Sequence, residues 1–340
     1  MYRIFILVFL FIFGCSHDRQ QQDFSPHKKL SDYGFFQQKL REHIPQQGVI
    51  AYNLNTPLFS DYTNKRRFIY LPPNSAIEYR HESVFTFPVG SILIKTFSLL
   101  HDMTDNKRGE TILETRLLVH TSQGWKAYPY IWNKEQDEAY LELVGDVFEV
   151  SWIHHDGQRR TNNYVVPSVN DCKGCHFKGE KIQPIGPQAK HLNRSEQLQQ
   201  WQKMGILKNM PSEDIPKVAI WNDANTGNLN ERARAYLDIN CAHCHNLQGP
   251  ASNAGLDLRS ENRDLSLLGI YKSPVAAGHG TGGFSYDILP GKPQQSILLY
   301  RMQSTDPKIA MPELGRGVVH QEGVVLIAQW IENMKETKDE

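Results

Sequence analysis

Two five-residue segments carry the most sharply specified chemistry in the chain. Cys172-Lys173-Gly174-Cys175-His176 and Cys241-Ala242-His243-Cys244-His245 both read C-x-x-C-H, the spacing of covalent haem c attachment. Two thiols three residues apart share one face of a helical turn and can add to the two vinyl groups of one porphyrin. The following histidine then lies under the iron as its proximal ligand. With five Cys and 14 His in 340 residues, chance would supply roughly 0.003 such segments. Zinc knuckles usually stand ~15–20 residues apart, whereas Cys175 and Cys241 are separated by 66 positions. A pair of redox disulfides would leave His176 and His245 without a role. The sequence therefore implies two covalently bound haem c groups, on Cys172 and Cys175 with His176, and on Cys241 and Cys244 with His245.

The fifth cysteine, Cys15, follows ten apolar residues (4–13), a single Arg3 and Gly14. The apolar run has the length of a signal-peptide core and is short for a membrane span. The junction resembles the cleavage site of bacterial lipoproteins, in which the cysteine becomes the lipidated first residue. The resemblance implies export, attachment to a lipid bilayer through lipidated Cys15 and, with Ser16 next, an outer-membrane site facing the periplasm. Residues 1–14 then form the signal peptide. Residues 15–30, rich in Gln and charge, read as a flexible tether.

Residues 226–335 hold the second motif between two apolar stripes. Leu229, Ala233, Tyr236 and Leu237 recur at helical spacing before Cys241; Val324, Ile327, Ala328 and Ile331 do so near the end. This region resembles the cytochrome c family. Met311-Pro312-Glu313-Leu314-Gly315 stands ahead of the last helix, and the resemblance assigns Met311 as distal ligand of the second iron. A thioether there favours ferrous iron and raises the potential. Met302 is the competitor for that role, although on its short amphipathic segment a methionine is more often core. Arg301 and Arg316 could pair with haem propionates. Gly278-His279-Gly280-Thr281-Gly282-Gly283 lacks the ending and context of a phosphate loop and reads as a loop beside haem.

Residues 166–225 form a shorter haem unit and linker, with a helix expected from Ser195 to Met204. Candidates for the distal iron ligand of the first haem are His191, Met204 and Met210, with His154 or His155 from the preceding domain. Between 156 and 203 basic residues outnumber acidic ones eight to four, which suits an acidic docking partner.

From 31 to 165 the period changes to two, with some seven β-rich segments, among them Arg67–Leu71, Phe85–Phe87, Ser91–Phe97 and Trp125–Tyr130. An antiparallel β-sandwich or jelly-roll-like domain is expected. Asp61, Lys65, Arg66 and Arg67 read as the exposed start of a strand. Neighbouring residues on a strand face opposite ways, so His154-His155-Asp156 is a poor metal site. The fold class expected is thus multidomain α+β, a β-rich domain followed by mainly α-helical cytochrome c-type units.

Charge is balanced, 37 Lys plus Arg against 37 Asp plus Glu, which argues against a nucleic-acid partner. The whole order of parts resembles a family of bacterial dihaem c-type cytochromes. The resemblance rests on Asn55–Tyr62, Pro88-Val89-Gly90, Ile94–Phe97, Leu192-Asn193-Arg194, Arg234–Asp238, Tyr286–Gly291 and Met311–Gly315. It implies this architecture and assigns no catalytic residue; the two covalent haems are what point to a periplasm-facing electron carrier with redox donor and acceptor proteins as partners. Two other functions stay open: a dihaem peroxidase-type enzyme with one open haem, and a binding or sensing module built on the β-domain.

Overall fold

The computed structural model describes residues 24–179, 181–275 and 278–335. The signal segment and Cys15 lie outside the described residues. The fold is mixed α+β, with a six-stranded antiparallel sheet and, among the described residues, six α-helices. Strands β1 (Val49–Ala51), β2 (Asn64–Tyr70), β3 (Ile77–Glu78), β4 (Ile92–Leu100), β5 (Glu110–Thr121), β6 (Gly124–Trp132) and β7 (Ala139–Leu141) come first. All but β3 form one sheet in the order β1-β2-β4-β5-β6-β7. Strands β8 (Asp146–Ile153) and β9 (Arg159–Val166) make a separate hairpin. The polar run Thr161-Asn162-Asn163 hides β9 from a reading by hydrophobic period, yet its Tyr164 and Val166 are buried against Leu99, Leu113 and Trp152. Phe85-Thr86-Phe87, expected as a strand, makes only isolated bridges around two core phenylalanines.

Antiparallel sheets often leave one face to water; here both faces are covered. Phe68, Ile92, Ile94, Leu117 and Val119 pack under Leu30, Phe35, Phe36 and Leu40 from the N-terminal segment. Phe24 already leans on Tyr128, and Lys29 bridges to Tyr140, so the last residues of the expected tether lie against the sheet. The opposite face presents Ile69, Leu93, Leu118 and Ala127 to Cys172, Leu192, Leu198, Trp201 and Ile239. This second cover corrects the reading of Asp61 and Arg67 as exposed: they are 6% and 7% accessible. Sequence alternation reports which residues share a face, but not what later packs on that face.

Downstream lie α1 (Val169–His176), β10 (Phe177–Lys178), β11 (Lys181–Ile182), α2 (Ala189–Leu192), α3 (Gln197–Lys203), β12 (Leu207–Lys208), α4 (Leu229–Asn240), α5 (Ile297–Gln303) and α6 (Gln321–Glu332). Strand β12 pairs in parallel with β3, so the segment between the two C-x-x-C-H motifs is stitched to the β-rich part. Helix α3 begins later than expected because Ser195 and Glu196 adopt φ of 44° and 59°, and no side chain caps it. Helix α4 is opened by a capping box between Asn228 and Glu231. It crosses α6 where Gly323 faces Tyr236; a Cβ at 323 would land in the tyrosine hydroxyl. Among the described residues, no helix is long and apolar enough to cross a membrane.

Candidate cofactor-attachment site

Both C-x-x-C-H segments sit on helical turns. Ser168 and Asp171 form a capping box at the start of α1, directly after β9, which sets Cys172 and Cys175 one turn apart. Cys172 is buried in the core against the sheet. Helix α4 delivers Cys241 at its C-cap, and the amide hydrogens of Cys244 and His245 both bond back to the Cys241 carbonyl, at 3.1 and 2.9 Å.

Tertiary structure brings the two motifs together. Cys244 Sγ lies 3.9 Å from the Gly174 carbonyl. The Cys244 thiol and the His243 imidazole lie close enough to Cys175 to hold its thiol low, while Cys244 is held high. Leu314, from the Met311 loop, packs so closely on α1 that a Cβ at Gly174 would sit 2.7 Å from its Cδ1. The 66-residue separation thus vanishes in space. None of the four cysteines is in a disulfide. Among the described residues, no group of three or more His, Cys, Asp or Glu converges on a metal-sized point.

His176 is oriented as an iron ligand needs to be. Its Nδ1–H donates to the Gln183 carbonyl at 2.7 Å, which leaves the Nε2 lone pair free. Burial pushes both His176 and His245 down to about 4, so each imidazole is neutral near pH 7. His245 Nδ1 is buried without a partner.

A cleft of about 420 Å³ runs between the sheet and the C-terminal helices. Cys172, Cys175, His176, Cys241, Met302 and Met311 line it. Met302 also belongs to the core formed by α4, α5 and α6. The Met311 backbone N–H donates to the Arg301 carbonyl at 3.0 Å. The guanidiniums expected to meet propionates are engaged with backbone. Arg301 Nε donates to the Ile309 carbonyl (2.8 Å), and Arg316 Nη2 to the carbonyls of Ser304 (2.8 Å) and Arg301 (3.2 Å). Both brace the loop that carries Met311.

The three candidates for the first distal ligand separate clearly. Met204 is 66% exposed at the end of α3, and Met210 is buried in the core with Trp201 and Leu207. His191, fully buried, lines a second, smaller cavity with Cys175, His176 and His243. Its Nε2–H donates to Asp238 at 2.9 Å and its Nδ1 has no partner. His154 is buried beside Trp152 and His155 is exposed, but both lie past the end of β8, in its turn, with ring centroids 5.2 Å apart, so the strand argument does not apply to them.

Several residues without assigned chemistry turn out to be seams. Asn55 donates to the carbonyls of Lys190 and Asn193, and Thr56 to that of Ala219. The Phe59 N–H reaches Asn240 of α4, and Phe59 stacks on His320 at 4.1 Å. Asp61 accepts from the amides of Gly317 (2.6 Å) and Val318 (3.0 Å); Tyr62 donates to Glu322. The segment from Asn55 to Tyr62 therefore clamps three parts of the chain together. Sequence reasoning passed over His243 and His320, whose neighbours are distant in sequence. It also passed over Lys95 and Arg116, although a charge within an otherwise apolar β-run was a visible signal.

Compared with known proteins, the chain matches no family model, no curated protein and no solved structure.

Proposed function

We propose that the chain is an exported, lipid-anchored dihaem c-type cytochrome that relays electrons between redox partner proteins at the periplasmic face. The reading rests on one observation: two C-x-x-C-H segments lie back to back, Cys244 Sγ 3.9 Å from Gly174 O, beside a cleft that Cys172, Cys175, His176 and Cys241 line. Four unbridged thiols, a neutral His176 anchored through Nδ1 and a methionine on the facing loop make up the donor set that covalent haem requires. Bound haem supplies a reversible one-electron change at iron.

The residues of the chain do the rest. The capped turn of α1 and the C-terminal turn of α4 hold each thiol pair. The Gln183 carbonyl fixes the His176 ring. Arg301 and Arg316 hold the loop that presents Met311. His191, with Asp238 on Nε2, is the candidate supported for the sixth position of the first haem, because carboxylate anchoring leaves the Nδ1 lone pair available. Abutting motifs favour a short path between the two groups. The C-terminal part, residues 226–335, is read as a cytochrome c unit, and the six-stranded sheet with the β8–β9 hairpin as an open sandwich. One face of that sheet is covered by the N-terminal segment and the other lines the cleft beside the first motif.

The test is a mass and a pyridine haemochrome assay on protein exported by a host competent in haem attachment, followed by a redox-titrated spectrum. Two haems, low-spin and inert to cyanide, are expected. Absence of covalent haem overturns the reading; cyanide binding at the first haem turns it toward the peroxidase-type alternative.

A further inference from the structure

The cleft face of the central sheet carries a row of cations that the chain itself does not neutralise. Arg67 on β2 is directly opposite Lys95 on β4, and Lys95 is directly opposite Arg116 on β5. Lys65, two residues before Arg67, shares their face. Three of the four converge on one ring: Lys65 Nζ, Lys95 Nζ and Arg116 Cζ lie 5.9, 4.7 and 4.4 Å from the Phe97 centroid. Like charges directly opposite one another destabilise a sheet, and in a covered interior the cost rises.

The countercharges are few. Glu114 pairs with Arg116 through two hydrogen bonds. Asp61 faces Lys65 but is spent on the amides of Gly317 and Val318. Among the described residues, Lys65, Arg67 and Lys95 have no ion-pair partner. Arg67 is 7% accessible and its Nη2 is a buried donor without an acceptor. Burial, and next the Arg67 charge, push Lys65 down to about 7, and the same two causes act on Lys95. Within this row four basic side chains meet only Asp61 and Glu114, while Asp171 and Glu313 line other parts of the cleft, so the row itself is short of countercharge. Arg67, Lys95 and Arg116 line the same cleft as Cys172, Cys175 and His176. Lys95 is close enough to His176, and Arg116 to Cys172, for their charges to act on them.

We propose that Arg67 and Lys95, with Lys65 adding charge from behind, form a dicarboxylate site that receives the two propionates of the haem carried by Cys172 and Cys175. The inference rests on the dihaem reading and assigns a task to the β-rich part: it supplies the cationic wall of the first haem pocket. Ferric haem gains an electron, and hence a negative charge, on reduction. Nearby cations therefore favour the reduced state and raise the potential.

The experiment is a spectroelectrochemical titration of the full-length holoprotein as wild type, Lys95→Gln, Arg67→Gln and Lys95→Arg, with haem counted in each. Both Gln variants are expected to keep two haems and to shift the first couple toward the oxidised state. A tenfold shift corresponds to ~59 mV for one electron. The second couple, identified by its response to Met311→His, stays in place, and Lys95→Arg stays near wild type. If Arg67→Gln does not accumulate, Lys65→Gln carries the same expectation. Two haems with both couples unmoved in the Gln variants overturn the site alone, whereas a wild type without haem on Cys172 and Cys175 overturns the functional reading. Added succinate or phosphate that stabilises holo wild type but not Lys95→Gln also overturns it, because a free anion then occupies the wall.

Discussion

His191 on α2 donates to Asp238 on α4 at 2.9 Å, and Lys190 reaches the other carboxylate oxygen at 2.5 Å. This buried triad joins the segment after the first motif to the helix that leads into the second. Burial opposes the Asp238 charge, but His191 and Lys190 outweigh it and hold the carboxyl far below the usual range. Its stabilisation is therefore present above the ordinary carboxylate value, ~3.9, and fades as pH falls below it. Asp238→Asn leaves Lys190 short of a partner and is expected to cost about 3–5 kcal/mol. A urea midpoint at pH 7 measures it; a midpoint equal to wild type would show that the triad carries no net stability.

His43 gives a sharper pH signature. Its ring lies among Phe36, Phe68 and Trp132, with Nδ1–H donating to the Arg41 carbonyl and Nε2 accepting from Thr96. Burial pushes it down to about 4. The unfolded chain binds this proton near pH 6.5, so the stability is intact above that value and is lost as pH falls toward 4. Wild type is expected to lose about 2 kcal/mol more than His43→Gln between pH 7 and pH 5. Parallel pH profiles of the two proteins would remove His43 as the cause.

Replacing Met311 by histidine exchanges a soft thioether for an imidazole. The potential of the second haem is expected to fall and its reduced spectrum to change, with the first haem unaffected. Redox titration reads both. An unaltered pair of potentials would point to Met302, the other methionine of the cleft.

Gly323→Ala forces a methyl group into the Tyr236 hydroxyl, which also bonds His320 Nδ1 at 2.9 Å. Overpacking at this helix crossing is expected to cost about 1–3 kcal/mol. Thermal unfolding of the variant measures it, and an unchanged melting temperature would mean that α4 and α6 part more easily than their packing implies.

The sequence alone determined the parts whose meaning is local. Thiol spacing within one helical turn, the stripes of α4 and α6 and the alternation along β4 and β5 depend only on residues a few positions apart, so period and spacing suffice to read them. The clamp at Asn55–Tyr62, the meeting of Cys175 with Cys244 and the burial of Arg67 depend on segments 70 to 260 positions apart. Only tertiary structure decided these. Which residue of a strand is covered is a property of the element that packs on it, and the alternation of a strand is the same whether its polar face meets water or a cleft.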